Sequence, residues 1–424
     1  VLDLKLIREN PTEIERRLRT RDESIRLDGL LRLDEDRRAI IREVEELKAQ
    51  RNEGSKEIGK LLASGRAAEA ERLKGEMAQL AERIRVLDER LKGVEEEIKE
   101  LLLRLPNLPH ESVPVSTKKG DKLVLREYKE KPRFDFPPKS HLELGEALGI
   151  LDFPRGARIA GARFPLYRGK GALLEMALVQ FMFRYQTEEN GYEPIFPPFL
   201  GNEESLFTSS QLPKFEEDLY FCERDRLYLN PTAEVLLANL HRGEILEATE
   251  LPKKYVAFTT CFRREAGAAG EEERGLIRVH QFNKVELFWF TKPEESYTAL
   301  EQLIEDAEDI LKELDLHYRV TLLPTCDLAQ QAAKTVDLEV WLPSQGKYYE
   351  VSSCSNCEDF QARRGNIRYR PEPKARPEFV HTLNGSGVAT SRLFAAILEN
   401  NQQRDGSVML PEPLREYVGA DILR

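Results

Sequence analysis

At 424 residues the chain is long enough for more than one domain, and its 41% apolar content suffices for a sizeable core. No apolar run approaches the about eighteen residues of a membrane span, and the start Val1-Leu2-Asp3-Leu4-Lys5-Leu6 lacks a signal-peptide core, so a soluble cytoplasmic protein with no membrane partner is expected. Five cysteines, an odd number, argue against a disulfide framework, and a net charge of −11 leaves any polyanion to be bound by local patches rather than by the average.

In chain order, the first strong signal is a heptad lattice. Leu73, Met77, Leu80, Ile84, Leu87, Leu91, Val94, Ile98 and Leu101 keep alternating spacings of four and three. Leu33, Ile40, Val44, Leu47, Ile58 and Leu61 follow a similar lattice, interrupted by Arg37, Arg51 and Gly54. The turn signal Ala63-Ser64-Gly65-Arg66 between them predicts a helical hairpin, each limb on the order of 50–60 Å long. A dimerising or scaffold coiled coil has the same heptads, but the turn region from Arg51 to Lys74 carries six Lys/Arg against four Glu, a mildly basic tip suited to a phosphate backbone. Leu105-Pro106-Asn107-Leu108-Pro109 ends the second limb. Residues 1–110 are therefore expected to form the arm and 111–424 a body, entered through a Lys- and Pro-rich linker reaching to about Pro138.

Strand-like and helix-like segments then alternate without a βαβ rhythm, predicting an α+β body on a mainly antiparallel sheet. Neither a Gly-x-Gly-x-x-Gly turn nor a P-loop lysine is present. The richest stretch is Phe262-Arg263-Arg264-Glu265-Ala266-Gly267 followed by Arg274 to Glu286. It reads as a hairpin: strand Tyr255–Phe262, a loop of residues 267–275 with three glycines, and a second strand over Leu276–Phe290. Alternation puts Arg278, His280, Phe282, Lys284 and Glu286 on one face and Ile277, Val279 and Val285 on the other. Fixed cations, an aromatic ring and two carboxylates on one floor suit a nucleotide triphosphate and a small amine. Farther on, Asn384-Gly385-Ser386-Gly387-Val388-Ala389-Thr390-Ser391-Arg392 precedes a helical run from Leu393 to Asn400, and glycines before a helix start leave backbone N–H groups beside a fixed cation.

The Phe-Arg-x-Glu strand and the Gly-x-Gly-x-Ala-Thr-x-Arg segment resemble motifs two and three of class II aminoacyl-tRNA synthetases. Asn230-Pro231-Thr232-Ala233-Glu234 and Glu350-Val351-Ser352-Ser353-Cys354-Ser355-Asn356-Cys357 resemble the seryl-tRNA synthetases in particular. The resemblance implies an antiparallel class II catalytic domain with a tRNA-gripping coiled-coil arm, acting on ATP, L-serine and tRNA(Ser), and leaves tRNA(Sec) open as a further acceptor. It implies that Arg263 meets the α-phosphate, that Glu265 accepts from the adenine amino group, and that Phe282 and Arg392 sandwich adenine. Arg264, Arg278, Val279, Val351 and Ser352 complete the implied ATP set. Glu350 and Ser353 are the implied Mg²⁺ ligands, and Arg263, Arg392 and Glu350 the implied catalytic groups. Thr232, Ala233, Glu234, Arg263, Glu286, Asn384 and Ser386 would hold serine. Gly191-Tyr192-Glu193-Pro194-Ile195-Phe196-Pro197-Pro198 resembles motif one, which implies a homodimer.

Two further signals are weaker. Cys354-x-x-Cys357 has half-zinc-site spacing, but no second pair accompanies it, so packing cysteines and no structural zinc are expected. His280 is expected to be a hydrogen-bonding residue, because carboxylate attack on ATP needs no base. Two other readings compete: a homologue that loads a carrier protein, against which the long lattice counts, and a non-catalytic coiled-coil protein, against which Arg263, Glu265, Glu286, Glu350 and Arg392 together count.

Overall fold

The heptads fold as an antiparallel helix pair in the computed structural model, which describes residues 1–266 and 275–424. Helix α1 (Asp28–Ala63) and helix α2 (Ala67–Arg104) are joined through Ser64, Gly65 and Arg66. Gly65 takes φ +79°, a left-handed value that costs glycine little. Ile40, Val44, Ile84, Leu87, Val94 and Ile98 are buried along the seam. Arg37 meets Glu95 at 3.0 Å and Arg90 meets Asp36 at 2.7 Å, so the start of α1 faces the end of α2. The lattice interruptions have local uses. Arg37 supplies one of those crossing pairs, and a Cβ on Gly54 would come within 2.2 Å of Met77 Sδ, making the glycine the hole that Met77 fills. These helices belong to one compact unit, Leu2–Arg19 with Glu23–Leu105; Val1, Thr20–Asp22 and Pro106–Arg424 form the other.

The second unit is built on an eight-stranded sheet. Its strands in chain order are β1 (Leu123–Tyr128), β2 (Glu193–Ile195), β3 (Lys253–Phe262), β4 (Gln281–Thr291), β5 (Tyr318–Leu322), β6 (Lys334–Leu342), β7 (Lys347–Asn356) and β8 (His381–Ala389). Their spatial order is β1-β5-β6-β7-β8-β4-β3-β2, and only β2 runs parallel to its neighbour. Part of the expected linker is thus an edge strand. Leu123, Val124 and Leu125 stay exposed, which is why the stretch reads as linker, while Lys122 anchors it through Asp337 at 3.0 Å and Glu339 at 2.7 Å.

Helices α4 (Lys170–Glu188), α5 (Ser296–Glu313) and α6 (Thr390–Asn400) cover one face of the sheet; α3 (His141–Ala147) precedes them. Leu178, Leu303 and Ile397 from these helices share one buried core with Leu287, Val336 and Leu383 from the strands. The glycines of the Asn384–Ala389 segment serve this packing. The segment is the extended end of β8, paired to β4, and not a loop before the helix. A Cβ on Gly385 would come within 2.3 Å of Leu303 Cδ2 and 3.0 Å of Cys354 Sγ. Glycine therefore lets α5 approach the strand, and the helix begins only at Thr390.

Candidate active site

Strands β3 and β4 pair from Lys253↔Phe290 to Phe262↔Gln281. The expected second strand is shorter than its sequence suggests. Gly275–Ile277 form a 3₁₀ turn, so strict alternation holds only from Gln281 on. Phe282, Lys284 and Glu286 keep their common face, but Ile277, Arg278 and Val279 all line the same cavity wall, against the assignment of Ile277 and Val279 to the opposite side. Residues 267–274, which carry most of the glycine loop and Arg274, lie outside the described residues. His280 donates no chemistry to the cavity; its Nδ1 lies 2.9 Å from the carbonyl oxygen of Arg263, tying the two hairpin arms together.

The open face of the central strands carries a cleft in two compartments. The larger, about 390 Å³, is lined by Thr232, Glu234, Glu286, Gln331, Asn384 and Ser386 among others. The smaller, about 100 Å³, is lined by Arg278, Val279, Phe282, Val351 and Arg392 among others. Arg263, Glu265, Lys284, Glu350 and Ser386 belong to both walls. Cross-strand register explains the floor of the larger compartment: Ser386 lies opposite Glu286, and Asn384 opposite Ser355.

Within that compartment Lys284 and Glu286, both buried, form an ion pair, and Lys284 Nζ donates to Thr232 Oγ1 at 2.6 Å. Thr232 Oγ1 also lies 3.3 Å from Glu286 Oε2. A second buried carboxylate, Glu234, accepts from Gln331 Nε2 at 2.9 Å and Gln361 Nε2 at 2.7 Å, both through Oε1. Burial, reinforced by the charge of Glu286, pushes the Glu234 carboxyl up to about 7. Two carboxylates and one ammonium thus face a space built for a small cationic, polar molecule.

In the smaller compartment the Arg263 guanidinium lies 5.3 Å from the Phe282 ring centroid, and Arg278 pairs with Glu265 at 2.6 Å. Arg392 is fixed by its Nε donating to Ile277 O at 3.0 Å and its Nη1 to Glu350 O at 2.7 Å. Glu350 reaches this wall through a β-bulge. The β6–β7 register shifts between Leu338 and Glu339, leaving Val351 without a partner, so Glu350 joins the face that holds Ser353 and Ser355, while Val351 packs into the sheet's buried core and borders the smaller compartment.

Ser353 donates its hydroxyl to Asp337 at 2.8 Å, which leaves its lone pairs for a cation, and Glu350 remains half-exposed. Burial, then the charge of Glu350, raises the Asp337 carboxyl. Among the described residues no three His, Cys, Asp or Glu converge as a metal site of their own. The hard oxygens of Glu350 and Ser353 fit Mg²⁺, which takes one or two protein oxygens and fills its shell from phosphate and water.

Three sequence-selected residues lie off these walls. Arg264 is exposed, its backbone N–H donating to Asp218 O at 2.8 Å; Ala233 packs into a separate apolar cluster; Ser352 points toward the strand's other side, donating to the carbonyl of Ser386. Conversely, Gln331, which lines the larger compartment, and Gln361 and Asp337, which hold Glu234 and Ser353, carry no expectation from the sequence, and Lys284 is placed on the floor there without a role of its own. Lys284 carried a signal, lying two residues before Glu286 on the same strand face. Cys354 and Cys357 are both buried, and burial raises both thiols. Elemental analysis of the purified protein should find no zinc at one equivalent per chain; stoichiometric zinc lost in Cys354→Ser would reverse the packing role.

Comparison with known proteins matches this geometry. The family model "tRNA synthetase class II core domain (G, H, P, S and T)" matches residues 215–401, and "Seryl-tRNA synthetase N-terminal domain" matches residues 1–109. The chain is 52% identical over 421 residues to the serine--tRNA ligase of Carboxydothermus hydrogenoformans, covering 99% of each chain. It is 53% identical over 419 residues to that of Syntrophobacter fumaroxidans, again covering 99% of each. Among solved structures it superposes on seryl-tRNA synthetase from Pyrococcus horikoshii, complexed with ATP, with TM-score 0.95 at 38% identity, covering 100% of this chain and 99% of that one. A two-compartment cleft on an antiparallel sheet, an antiparallel helical arm, and full-length identity above one half to such ligases together place this chain in the seryl-tRNA synthetase family of class II aminoacyl-tRNA synthetases.

Proposed function

We propose that the chain activates L-serine with ATP and transfers it to the terminal adenosine of tRNA(Ser), with tRNA(Sec) as a second acceptor on the same arm. The carrying observation is the shared wall. Arg263 borders both compartments, which is where a serine carboxylate and an α-phosphate have to meet. In the first step the serine carboxylate oxygen attacks the α-phosphorus, the bond to the β-phosphate bridge breaks, and pyrophosphate leaves. Arg263 offers a planar, permanently charged fork to both reactants, so its contribution is positioning and charge stabilisation. Phe282 and Arg392 hold adenine between them, with Glu265 accepting from its amino group and Arg278, released from Glu265, meeting phosphate. Mg²⁺, held by Glu350 and Ser353, would neutralise charge on the leaving pyrophosphate. In the second step a ribose hydroxyl of the tRNA attacks the carbonyl carbon and AMP leaves.

Glu286, Glu234 and Thr232 take the serine ammonium and hydroxyl, with Ser386 and Asn384 on the floor. A hydroxyl-lacking substrate would leave buried partners unpaired, which is the basis for choosing serine over alanine. Serine-dependent exchange of pyrophosphate into ATP, followed by charging of tRNA(Ser) and tRNA(Sec) transcripts, tests this directly. No serine-dependent exchange above background would refute it.

A pH dependence follows from Glu234. Its carboxyl, raised to about 7, is protonated below that pH, and an ammonium prefers the carboxylate. The Michaelis constant for serine should therefore fall as pH rises from about 6 to about 8, while Glu234→Gln shows a weaker overall affinity and loses that slope. The same raised carboxyl makes folding progressively less favourable as pH climbs from about 4.5 to about 7, where the folded protein alone still holds the proton, and adds no further pH dependence above that.

The assembly we propose is a homodimer. Phe196, in the segment that resembles motif one, is 79% exposed just after β2, and Leu173 and Met176 are about half-exposed on α4, apolar surface that a second copy of the chain would cover. Light scattering at micromolar concentration should report twice the chain mass of 48.8 kDa. A monomer with full charging activity would overturn it.

A further inference from the structure

We propose that His141 is a positioning residue for the nucleotide compartment, acting through the backbone of Leu276. His141 opens α3, whose start is fixed by a capping box between Ser140 and Glu143. It is 1% exposed and lines neither compartment. Its Nδ1 lies 2.8 Å from Oε1 of Glu399, a fully buried carboxylate on α6. The same oxygen accepts the His141 backbone N–H at 3.0 Å, and Oε2 accepts the N–H of Ser344 at 3.1 Å. On the other side of the ring, the backbone N–H of Leu276 points at Nε2 across 3.2 Å.

These contacts assign the tautomer. A backbone N–H only donates, so Nε2 must carry the lone pair, and the proton sits on Nδ1, donated to Glu399. Both ring nitrogens are thereby committed, and the ring cannot turn over without losing both partners. Gly275 makes room for the contact: at φ +68°, a Cβ there would lie 2.5 Å from Nε2.

What the ring holds is the entry to the nucleotide wall. Ile277, Arg278 and Val279 follow Leu276 and line that compartment, and Ile277 O accepts from Arg392 Nε. Glu399 stands two turns after Arg392 on the same helix. The ring therefore ties α6 at one point and the Leu276–Val279 segment at another, and so sets the spacing between Arg392 and the wall opposite it. A substitution that keeps a donor toward Glu399 but loses the Leu276 acceptor should loosen ATP and spare serine.

The inference rests on reading the smaller compartment as the ATP site, and the experiment separates the two. Michaelis constants for ATP and for serine are measured by pyrophosphate exchange on the full chain, with thermal midpoints, for His141→Asn, His141→Gln and Arg392→Ala. Asparagine keeps a donor near Nδ1 but has no acceptor for Leu276; the ATP constant should rise about three- to tenfold with the serine constant within about twofold. Glutamine carries its amide oxygen to the position of Nε2 and should restore the ATP constant to within about twofold of the wild type. A raised ATP constant in Arg392→Ala with an unchanged one in folded His141→Asn overturns the inference alone. An unchanged ATP constant in Arg392→Ala overturns the site reading and the inference with it. If His141→Asn does not fold, Gly275→Ala perturbs the same contact, and the inference fails if its ATP and serine constants move equally or not at all.

Discussion

Replacing Asp34 to Glu97 with a short flexible loop should leave serine-dependent pyrophosphate exchange within about twofold of the intact chain and lower tRNA charging on the order of a hundredfold or more, equivalent to about 3 kcal/mol of lost tRNA binding. The excised segment lies entirely in the unit that holds the helix pair, while every residue assigned to ATP and serine lies in the unit from Pro106 to Arg424. The pair buries one apolar seam and leaves its outer faces charged, so the two helices spend their length on presenting surface rather than on building a core. Near the turn, Lys60, Arg66 and Lys74 pair with exposed glutamates three residues away, Glu57, Glu69 and Glu71. Such pairs are worth little, and a phosphate backbone can displace the glutamates at small cost. Salt dependence offers an independent check: the residual charging of the truncated chain should depend less steeply on ionic strength than that of the intact one. Equal loss of exchange and charging, with an unchanged thermal midpoint of the remaining unit, would refute the division of labour.

How much of this was legible in the sequence depends on how far apart the interacting residues lie along the chain. The arm was readable because heptads are a local pattern and α-helical geometry maps them onto one stripe. Even its interruptions made sense only in three dimensions, where Gly54 receives Met77. The hairpin of β3 and β4 was legible for the same reason, and Phe282 and Glu286 fell on the expected face. Alternation failed at Ile277 to Val279, where a 3₁₀ turn replaces the strand, and it could not have joined Glu350 to Ser353, three residues apart, without the bulge at Val351. Glycines misled in another way. Gly385 and Gly387 looked like a ligand-binding loop, whereas Gly385 is small because Leu303 of α5 occupies the space its side chain would need. Gln331 and Gln361, which hold Glu234, approach from segments about a hundred residues away and carry no local signature at all. The same is true of His141.

Glu286→Gln should cost serine use on the order of 2–4 kcal/mol in transition-state stabilisation, whereas Ser386→Ala should cost about 0.5–1.5 kcal/mol, tenfold or less. The two side chains lie opposite each other in the β4–β8 register and face one spot on the floor, so the comparison isolates charge from a neutral hydrogen bond. Glu286 has a second partner that sharpens the expectation. Removing its charge takes the ion-pair partner from the buried Lys284 ammonium, leaving it the Thr232 hydroxyl and the more weakly coupled Glu234, and a poorly compensated buried cation destabilises the fold as well as the complex. The Glu286→Gln variant should therefore also lose thermal stability, and Lys284→Met combined with Glu286→Gln should recover part of that stability without recovering serine activation. ATP affinity should change little in either single variant, because Phe282, Arg278 and Arg392 line the other compartment and Glu286 does not. The measurements are serine-dependent exchange, separately determined ATP affinity, and the melting midpoint of each variant. A Glu286→Gln protein that kept its serine Michaelis constant but lost ATP binding would mean that the two compartments had been assigned the wrong way round.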